Sequence, residues 1–203
     1  MLDTALIATA IGLIVTAYLF GSLSSAIFVC RAFNLADPRS EGSKNPGATN
    51  VMRIGGKLPA ALTLLGDLLK CTIPMWAAQY LGAPAEIVLL TGFAAFLGHL
   101  YPVWFGFEGG KGVASYFGIL LGISPIACAL CALFWLGGYK LTKTSALGAV
   151  ALFIAAPVIV YMTEQSVTQS LIICVLSIWS AYRHKENFSR LIKGEELRFN
   201  GKS

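Results

Sequence analysis

Charge is what this sequence has least of. Asp, Glu, Lys and Arg make up 12% of its 203 residues, whereas soluble domains carry about 25%. Hydrophobic residues make up 56%, and the mean hydropathy is +0.71. This balance excludes an ordinary soluble domain and predicts an all-α membrane protein, because a helix satisfies its own backbone hydrogen bonds in lipid. The net charge of +5 indicates membrane topology and anionic lipid rather than nucleic-acid binding.

Several other features are missing, and each absence narrows the choice. The first apolar run has no basic region before it, and Asp3 stands there instead, so we interpret this run as a retained span and not a signal peptide. The five cysteines lie in or beside apolar segments, which argues against a disulfide framework. No cluster of His, Asp or Cys has metal-ligand spacing, so we expect no metal and no cofactor. Because no long linker or repeat interrupts the chain, residues 1–203 should form one integral-membrane domain.

Seven apolar segments predict seven transmembrane segments, some of them short or half-spanning. They are residues 2–30, 59–81, 85–105, 113–122, 126–139, 145–162 and 167–182. A spanning helix needs about 20 apolar residues, so the fourth segment should be shielded from lipid by other helices. With the N-terminus outside and the C-terminus cytoplasmic, every Lys and Arg except Lys70 falls inside, as the positive-inside rule requires. Merging segments four and five would put the basic tail outside.

Lys70 lies within the second predicted span, three residues after Asp67. A lone charge at the centre of a bilayer costs about 2.5–3.5 kcal/mol on insertion scales. The spacing places both side chains on one face of a helix, where each can neutralise the other. We favour a structural ion pair facing the bundle interior, and a contact with substrate is the alternative.

The stretch between the third and fourth segments is rich in glycine. Gly109, Gly110 and Gly112 surround Lys111, and His99 precedes them at the end of the third segment. Glycines let the backbone approach a ligand closely, and the first amides of the following helix favour an anion. We therefore predict a phosphate-binding loop, although an ordinary turn with a lysine anchor would have the same composition. The spacing is not that of a P-loop.

Two further polar clusters fall on the same predicted side of the membrane. Residues 42–53 combine hydroxyls, amides, glycines and cations, and residues 183–196 are basic with a His and an Asn. Such groups are donors for phosphate oxygens. Together with the glycine-rich stretch, they make three polar clusters on one side, which favours an enzyme with a phosphate-bearing substrate at the bilayer surface. The alternative is a transporter of an organic phosphate, which should instead carry polar residues near the midplane.

Four stretches, residues 21–25, 42–53, 98–114 and 183–191, together resemble the bacterial acyl-phosphate-dependent glycerol-3-phosphate acyltransferase family. The resemblance implies transfer of a fatty acyl group from acyl phosphate to sn-glycerol 3-phosphate. The products would be 1-acyl-sn-glycerol 3-phosphate (lysophosphatidate) and phosphate, in the first step of phospholipid biosynthesis. It also implies a multi-pass protein of the bacterial cytoplasmic (inner) membrane, with its active site facing the cytoplasm. The expected partners are the two substrates and membrane lipid, with no nucleic acid and no metal.

The resemblance also implies roles for residues that match the family's motifs. The residues expected to be catalytic are Ser43, Lys111, His184 and Asn187. Those expected to bind substrate or phosphate are Asn45, Gly47, Thr49, Asn50, Arg53, His99, Gly109, Gly110, Gly112, Arg183 and Glu196.

The chemistry should be a direct attack on the acyl carbonyl. The His-x4-Asp dyad of acyltransferases that use soluble donors is absent, because Trp104 follows His99 and Ser189 follows His184 at that spacing. No Ser or Cys is placed as a nucleophile with a base and a third group. The protein should therefore supply positioning and a positive field, with the fatty chain in an apolar groove between helices. His184 and the phosphate of the acceptor are both candidates for the proton acceptor.

Overall fold

The computed structural model describes residues 4–196, and within this range the regular structure is entirely helical. A 3-10 helix at Val103–Phe105 follows the fifth α-helix. The α-helices are α1 (Thr4–Gly21), α2 (Ser25–Ala32), α3 (Ala48–Gly55), α4 (Lys57–Tyr80), α5 (Ala85–Leu100), α6 (Val113–Ile123), α7 (Pro125–Thr142), α8 (Ser145–Glu164), α9 (Val167–Arg183) and α10 (Lys185–Lys193).

The first predicted span is broken into α1 and α2, which meet at an angle of 40°. The break frees backbone carbonyls, and Lys70 Nζ donates to the Leu23 carbonyl oxygen at 3.1 Å. Gly21 and Gly98 let α1 and α5 touch, since a Cβ at Gly21 would collide with the Ala95 carbonyl and one at Gly98 with the Tyr18 carbonyl. The break therefore lies where a buried ammonium satisfies its exposed backbone.

The segment between the first two spans is more ordered than the sequence predicts. The polar composition of residues 31–58 predicts a loop, but α3 occupies the second half of this segment and α4 begins at Lys57. Asn50 explains the order that precedes α3. Its Oδ1 accepts from the Ser43 amide at 2.8 Å, and its Nδ2 donates to the carbonyl oxygens of Pro38 and Glu41, each at 2.9 Å.

The short helix α6 is enclosed, as its length predicts. It packs against α4, α5 and α7, and Tyr116 is fully buried. A Cβ at Gly118 would collide with the Leu68 carbonyl, so only glycine permits this approach to α4. Thr72 Oγ1 then donates to the Gly118 carbonyl oxygen at 2.8 Å. Helix α6 therefore packs inside the bundle, and it begins directly after the glycine-rich loop, residues 109–112.

Among residues 4–196, four helices are long and apolar enough to cross a membrane, and the bent pair α1–α2 would make a fifth. The four comprise Lys57–Tyr80, Ala85–Phe105, Pro125–Thr142 and Ser145–Glu164. Two shorter apolar helices, α6 and α9, complete the set. The helical membrane architecture is thus confirmed, while the count of seven spans and the orientation of the termini stay predictions.

Candidate active site

The three polar clusters meet at one end of the bundle. They surround a cavity of about 570 Å³, here called the central cavity, which includes residues from each cluster and from α4 to α8. Sequence separation between the clusters exceeds forty residues in each case, so the fold alone brings them together. The predicted site residues in its wall are Ser43, Asn45, Gly47, Thr49, Asn50, Arg53, His99, Lys111, Gly112, His184 and Asn187.

The central cavity has chemically distinct sides. Cations, amides and hydroxyls from the three clusters form one part of its wall. Another part is apolar and includes the α4, α6 and α7 side chains Leu64, Leu68, Phe117, Ala132, Trp135 and Leu136. Leu64 and Leu136 are also exposed on the outer surface of the bundle, so the apolar part reaches the surface that faces lipid. A molecule with an anionic head and a hydrocarbon tail matches this distribution.

A second cavity, the basic cavity, adjoins the first. Its volume is about 780 Å³, and Ser43, Asn45 and Lys111 line both cavities. Its other residues include Lys44, Gly109, Arg183, Lys185, Glu186 and Arg190. The concentration of cations suits a small anionic ligand, and the shared wall would bring that ligand beside the contents of the central cavity.

The glycine-rich loop folds tightly over the end of α5. A Cβ at Gly109 would collide with the carbonyls of His99 and Leu100, and one at Gly110 with the His99 ring. The Gly110 amide donates to the His99 carbonyl oxygen at 3.2 Å. Gly112, with φ +92°, precedes α6. The glycines are therefore needed for close packing and for a left-handed turn, and the loop presents the first amides of α6 to the central cavity.

Arg183, at the end of α9, holds this loop through its guanidinium. Its Nη2 donates to the carbonyl oxygens of Gly109 and Gly110 at 2.9 and 3.1 Å. Its guanidinium lies over the Tyr101 ring, 5.2 Å from the ring centroid, and Trp179 Nε1 donates to Tyr101 Oη at 3.1 Å. Arg183 thus positions the loop and also contributes positive charge to the basic cavity.

Lys111 is oriented by a chain of polar contacts in the C-terminal segment. Its ammonium donates to Asn187 Oδ1, and Asn187 Nδ2 donates to Glu196 Oε1. Glu196 Oε2 in turn accepts from Arg190 Nε at 2.9 Å. Since a carboxylate only accepts, Glu196 forces the Asn187 amide to turn its oxygen toward Lys111. Glu196 was expected to bind substrate, and this role stays a prediction; in this structure its two carboxylate oxygens accept from Asn187 and Arg190 and so orient the lysine.

The ammonium of Lys111 has a lowered pKa, so it loses its proton more readily than an ordinary lysine. Burial, assisted by the charge of Arg190, lowers the pKa of Lys111 to about 8 from 10.5. The ammonium is therefore mostly charged at neutral pH and loses that charge as the pH rises through about 8. Burial likewise lowers the pKa of Arg53, but a guanidinium stays charged at any physiological pH.

His184 is neutral in this site. Its Nδ1 lies 2.7 Å from the Ser180 carbonyl oxygen, which can only accept, so Nδ1 carries the proton and Nε2 holds the lone pair. The ring is buried between Phe153 and Phe188. Burial is the main cause that lowers its pKa to about 4, and Lys111 and Arg183 contribute. His184 can accept a hydrogen bond in the central cavity, but it is a weak base.

Two residues expected to bind phosphate have inward partners. The Asn50 amide is used in bracing the loop that precedes α3, as described above. His99 is buried, with Nε2 accepting from the Gly112 amide at 3.2 Å and Nδ1 facing Asp67 Oδ1 at 3.6 Å. Asp67 also pairs with Lys70 Nζ at 2.8 Å, which agrees with the predicted structural pair. Both residues lie in the wall of the central cavity and also hold neighbouring backbone in place, and their binding of phosphate stays a prediction.

The sequence predicts an apolar groove between helices but does not identify the residues that line it. Cys128, Ala132, Trp135 and Leu136 of α7 line it at spacings of four, seven and eight residues, which define one helical face. That signal was visible, but an apolar face on a membrane helix usually packs against another helix. Only the relative placement of α4, α6 and α7 distinguishes a groove from a packed interface.

Known proteins resemble this chain over almost its whole length. Residues 11–194 match the family model described as glycerol-3-phosphate acyltransferase. A glycerol-3-phosphate acyltransferase from Methylococcus capsulatus is 48% identical, with 94% of this chain and 96% of the relative covered. One from Methylobacillus flagellatus is 45% identical, with coverage of 94% and 97%.

A solved structure agrees with these relatives. The crystal structure of PlsY, an integral membrane glycerol 3-phosphate acyltransferase, in its glycerol 3-phosphate form superposes with a TM-score of 0.87. That protein is 36% identical, and the match covers 94% of this chain and 95% of the other. The lysophosphatidic acid form of PlsY gives a TM-score of 0.85.

We expect Lys111 to control anion binding and its dependence on pH. Sulfate is a suitable probe, because it stays dianionic between about pH 7 and about pH 9.5 while lysine titrates. Its affinity, measured by calorimetry, should fall about tenfold per pH unit above a pH of about 8, as Lys111 becomes neutral. Lys111→Arg should remove this fall, and Lys111→Met should weaken binding at every pH.

Lys143→Met is the matched control, since Lys143 is exposed and lies outside both cavities. It should leave the sulfate affinity unchanged. If Lys111→Met bound sulfate as tightly as the control, Lys111 would have no role in anion binding and would serve only as a topological anchor.

Proposed function

The chain belongs to the glycerol-3-phosphate acyltransferase family and is a membrane enzyme that transfers an acyl group to glycerol 3-phosphate; we propose that its donor is an acyl phosphate. The observation that supports this donor is the central cavity, with polar groups of three clusters on one side and apolar side chains of three helices on the other. An acyl phosphate is a compact anionic head on a fatty chain. Its head would lie beside Lys111 and the first amides of α6, with the chain between α4 and α7.

The basic cavity would hold the acceptor. Glycerol 3-phosphate is small and dianionic, and Arg183, Lys185 and Arg190 offer it charge-assisted hydrogen bonds. The wall shared by the two cavities, made of Ser43, Asn45 and Lys111, is where the acceptor hydroxyl would approach the acyl carbonyl. Holding two reactants side by side removes much of the entropic barrier to their reaction.

The reaction would proceed by direct attack. The acceptor oxygen forms a bond to the acyl carbon, the bond from that carbon to the phosphate oxygen breaks, and inorganic phosphate leaves. Negative charge on the carbonyl oxygen and on the leaving phosphate grows in the transition state. Lys111 and the α6 amides would stabilise that charge. Ser43 and Asn187 would act beside Lys111, Ser43 by hydrogen bonding to substrate and Asn187 by orienting the ammonium.

The proton of the hydroxyl would pass to the phosphate of glycerol 3-phosphate. A phosphate monoester has its second pKa near about 6, whereas burial lowers the pKa of His184 to about 4. A base works best with a pKa near the working pH, so the substrate phosphate is better matched than His184. His184 would instead accept a hydrogen bond from substrate through Nε2.

The remaining predicted residues would bind or support the phosphates. We propose Asn45, Gly47, Thr49 and Arg53 from the first cluster as binding groups in the central cavity. Gly109, Gly110 and Gly112 would bring backbone amides close to phosphate. Asn50, His99 and Glu196 would hold these groups in place. No metal or other cofactor takes part in this proposal, and residues 1–203 would act as one domain.

We propose seven transmembrane segments, with the N-terminus outside and the active site at the cytoplasmic face of the bacterial inner membrane. The three clusters follow the first, third and seventh segments, and an odd number of crossings puts each on the same side. Their meeting in one site supports that parity. The excess of Lys and Arg in these clusters supports the cytoplasmic side. The alternative of an organic-phosphate transporter loses its support, because the relatives are acyltransferases.

The donor can be tested with purified enzyme. Acyl phosphate and glycerol 3-phosphate should give lysophosphatidate without added metal or nucleotide, as measured by the appearance of radiolabelled product. Acyl-CoA should support little transfer, because among the described residues the polar side of the central cavity has no Phe, Tyr or Trp on which an adenine could stack. Inorganic phosphate should inhibit competitively against acyl phosphate. Equal rates with acyl-CoA would contradict the proposed donor.

The topology can be tested with single cysteines in a variant lacking the natural five. Cysteines at Lys57 and Lys143 should react with a membrane-impermeant maleimide only after the inner membrane is opened. A cysteine at Glu164 should react in intact spheroplasts. Labelling of position 143 from outside would mean that residues 111–140 form a single span, and the count of seven would fail.

A further inference from the structure

A buried ionic cluster lies directly beneath the glycine-rich loop. Asp67 and Lys70 of α4 are each less than 5% exposed, and so are almost fully removed from water. Lys70 Nζ contacts Asp67 Oδ1 at 2.8 Å and the Leu23 carbonyl oxygen at 3.1 Å. Burying a charge pair is costly, and replacement by apolar residues often costs nothing in stability. Stability alone therefore gives no reason for a charge pair here.

His99 connects this cluster to the loop. Its Nε2 accepts from the Gly112 amide at 3.2 Å, so Nε2 carries a lone pair and Nδ1 carries the proton. The Nδ1–H faces Asp67 Oδ1 at 3.6 Å. The opposite tautomer would turn a lone pair toward the carboxylate and an N–H toward the Gly112 amide, and both contacts would be repulsive. Asp67 thus selects the tautomer that holds Gly112.

The His99 ring also fixes the position of the loop backbone at Gly110. A Cβ at Gly110 would collide with His99 Nε2 and Cε1, so the Gly110 backbone lies directly on the imidazole. Asp67 is itself fixed against α6, since Ser115 Oγ donates to the Asp67 carbonyl oxygen at 3.0 Å. The Asp67 carboxylate, the His99 ring and the glycine-rich loop are therefore all held in fixed positions relative to the start of α6.

We propose that Asp67, neutralised by Lys70, is a positioning residue that acts through the His99 tautomer to hold the phosphate-binding loop. This inference rests on the proposed function, because the loop is taken to bind the donor phosphate. Asp67 also lines the central cavity, but this positioning role requires no contact of Asp67 or Lys70 with substrate. Their effect should appear as weaker anion binding, since a displaced loop misdirects the Lys111 ammonium and the α6 amides.

Two substitutions at His99 provide the first test. His99→Ala removes the acceptor for the Gly112 amide, whereas His99→Gln keeps an oxygen that can reach it. His99→Ala should weaken sulfate binding and raise KM for acyl phosphate, each by about tenfold or more. His99→Gln should recover most of both losses. Equal defects in the two variants, or wild-type values in His99→Ala, would overturn the proposal.

The charge pair is tested by replacing both partners together. Asp67→Leu with Lys70→Met avoids an unpaired buried charge and should reproduce the weaker sulfate binding of His99→Ala. Thr72→Val is the matched control. It lies on the same helix and removes a buried bond to α6, so it should lower Tm while leaving sulfate affinity and KM unchanged.

The outcomes separate this inference from the proposed donor. Wild-type sulfate affinity in the folded double variant would overturn the role of the pair. The role would also be overturned if Thr72→Val weakened sulfate binding as much as the double variant does. If the double variant does not purify as a folded protein, the His99 comparison decides. Failure of acyl phosphate as a donor for the wild-type enzyme would refute the proposed function, yet the sulfate comparison would still report whether the cluster positions the loop.

Discussion

The structure depends on holding positive charge at fixed positions at the end of an apolar bundle. Lys111 and Arg183 are partly withdrawn from water, where each charge gains strength toward an anion but costs desolvation energy. The cost is offset by directed contacts: Arg183 donates to the loop carbonyls, and Lys111 donates to Asn187. The depressed pKa of Lys111, about 8, reflects this compromise. A site built in this way needs little rearrangement when a phosphate arrives.

This positive charge lies beside an apolar groove, and the combination explains the substrate class. The central cavity joins the glycine-rich loop to the faces of α4, α6 and α7, so a lipid tail and a phosphate head can be bound together. Helix α6 makes this possible because it is short and enclosed. It begins at Gly112 with its first amides toward the cavity, and Gly118 brings it against α4. Acyl transfer from an activated donor then requires positioning and charge more than a nucleophile or a strong base.

Much of this arrangement could be predicted from local patterns. Hydropathy located the apolar helices and the short α6, and the composition of residues 42–53, 98–112 and 183–196 identified the polar clusters. What could not be predicted depends on distant contacts. The break after α1 is stabilised by Lys70 from α4, and α3 follows a loop braced by Asn50. The setting of His99 depends on Asp67 in α4, and that of Glu196 on the side chains of Asn187 and Arg190 in the last helix. The groove depends on the relative placement of α4, α6 and α7.

We expect one preformed cavity to hold the acyl phosphate, with its head at the start of α6 and its chain between α4 and α7. The most direct measurement is an experimental structure with a non-hydrolysable acyl phosphonate bound. We expect phosphonate oxygens within hydrogen-bond distance of Lys111 Nζ and the first amides of α6, and the chain against Leu68, Phe117 and Trp135. A phosphonate bound away from Lys111, or a chain lying outside this groove, would contradict the account.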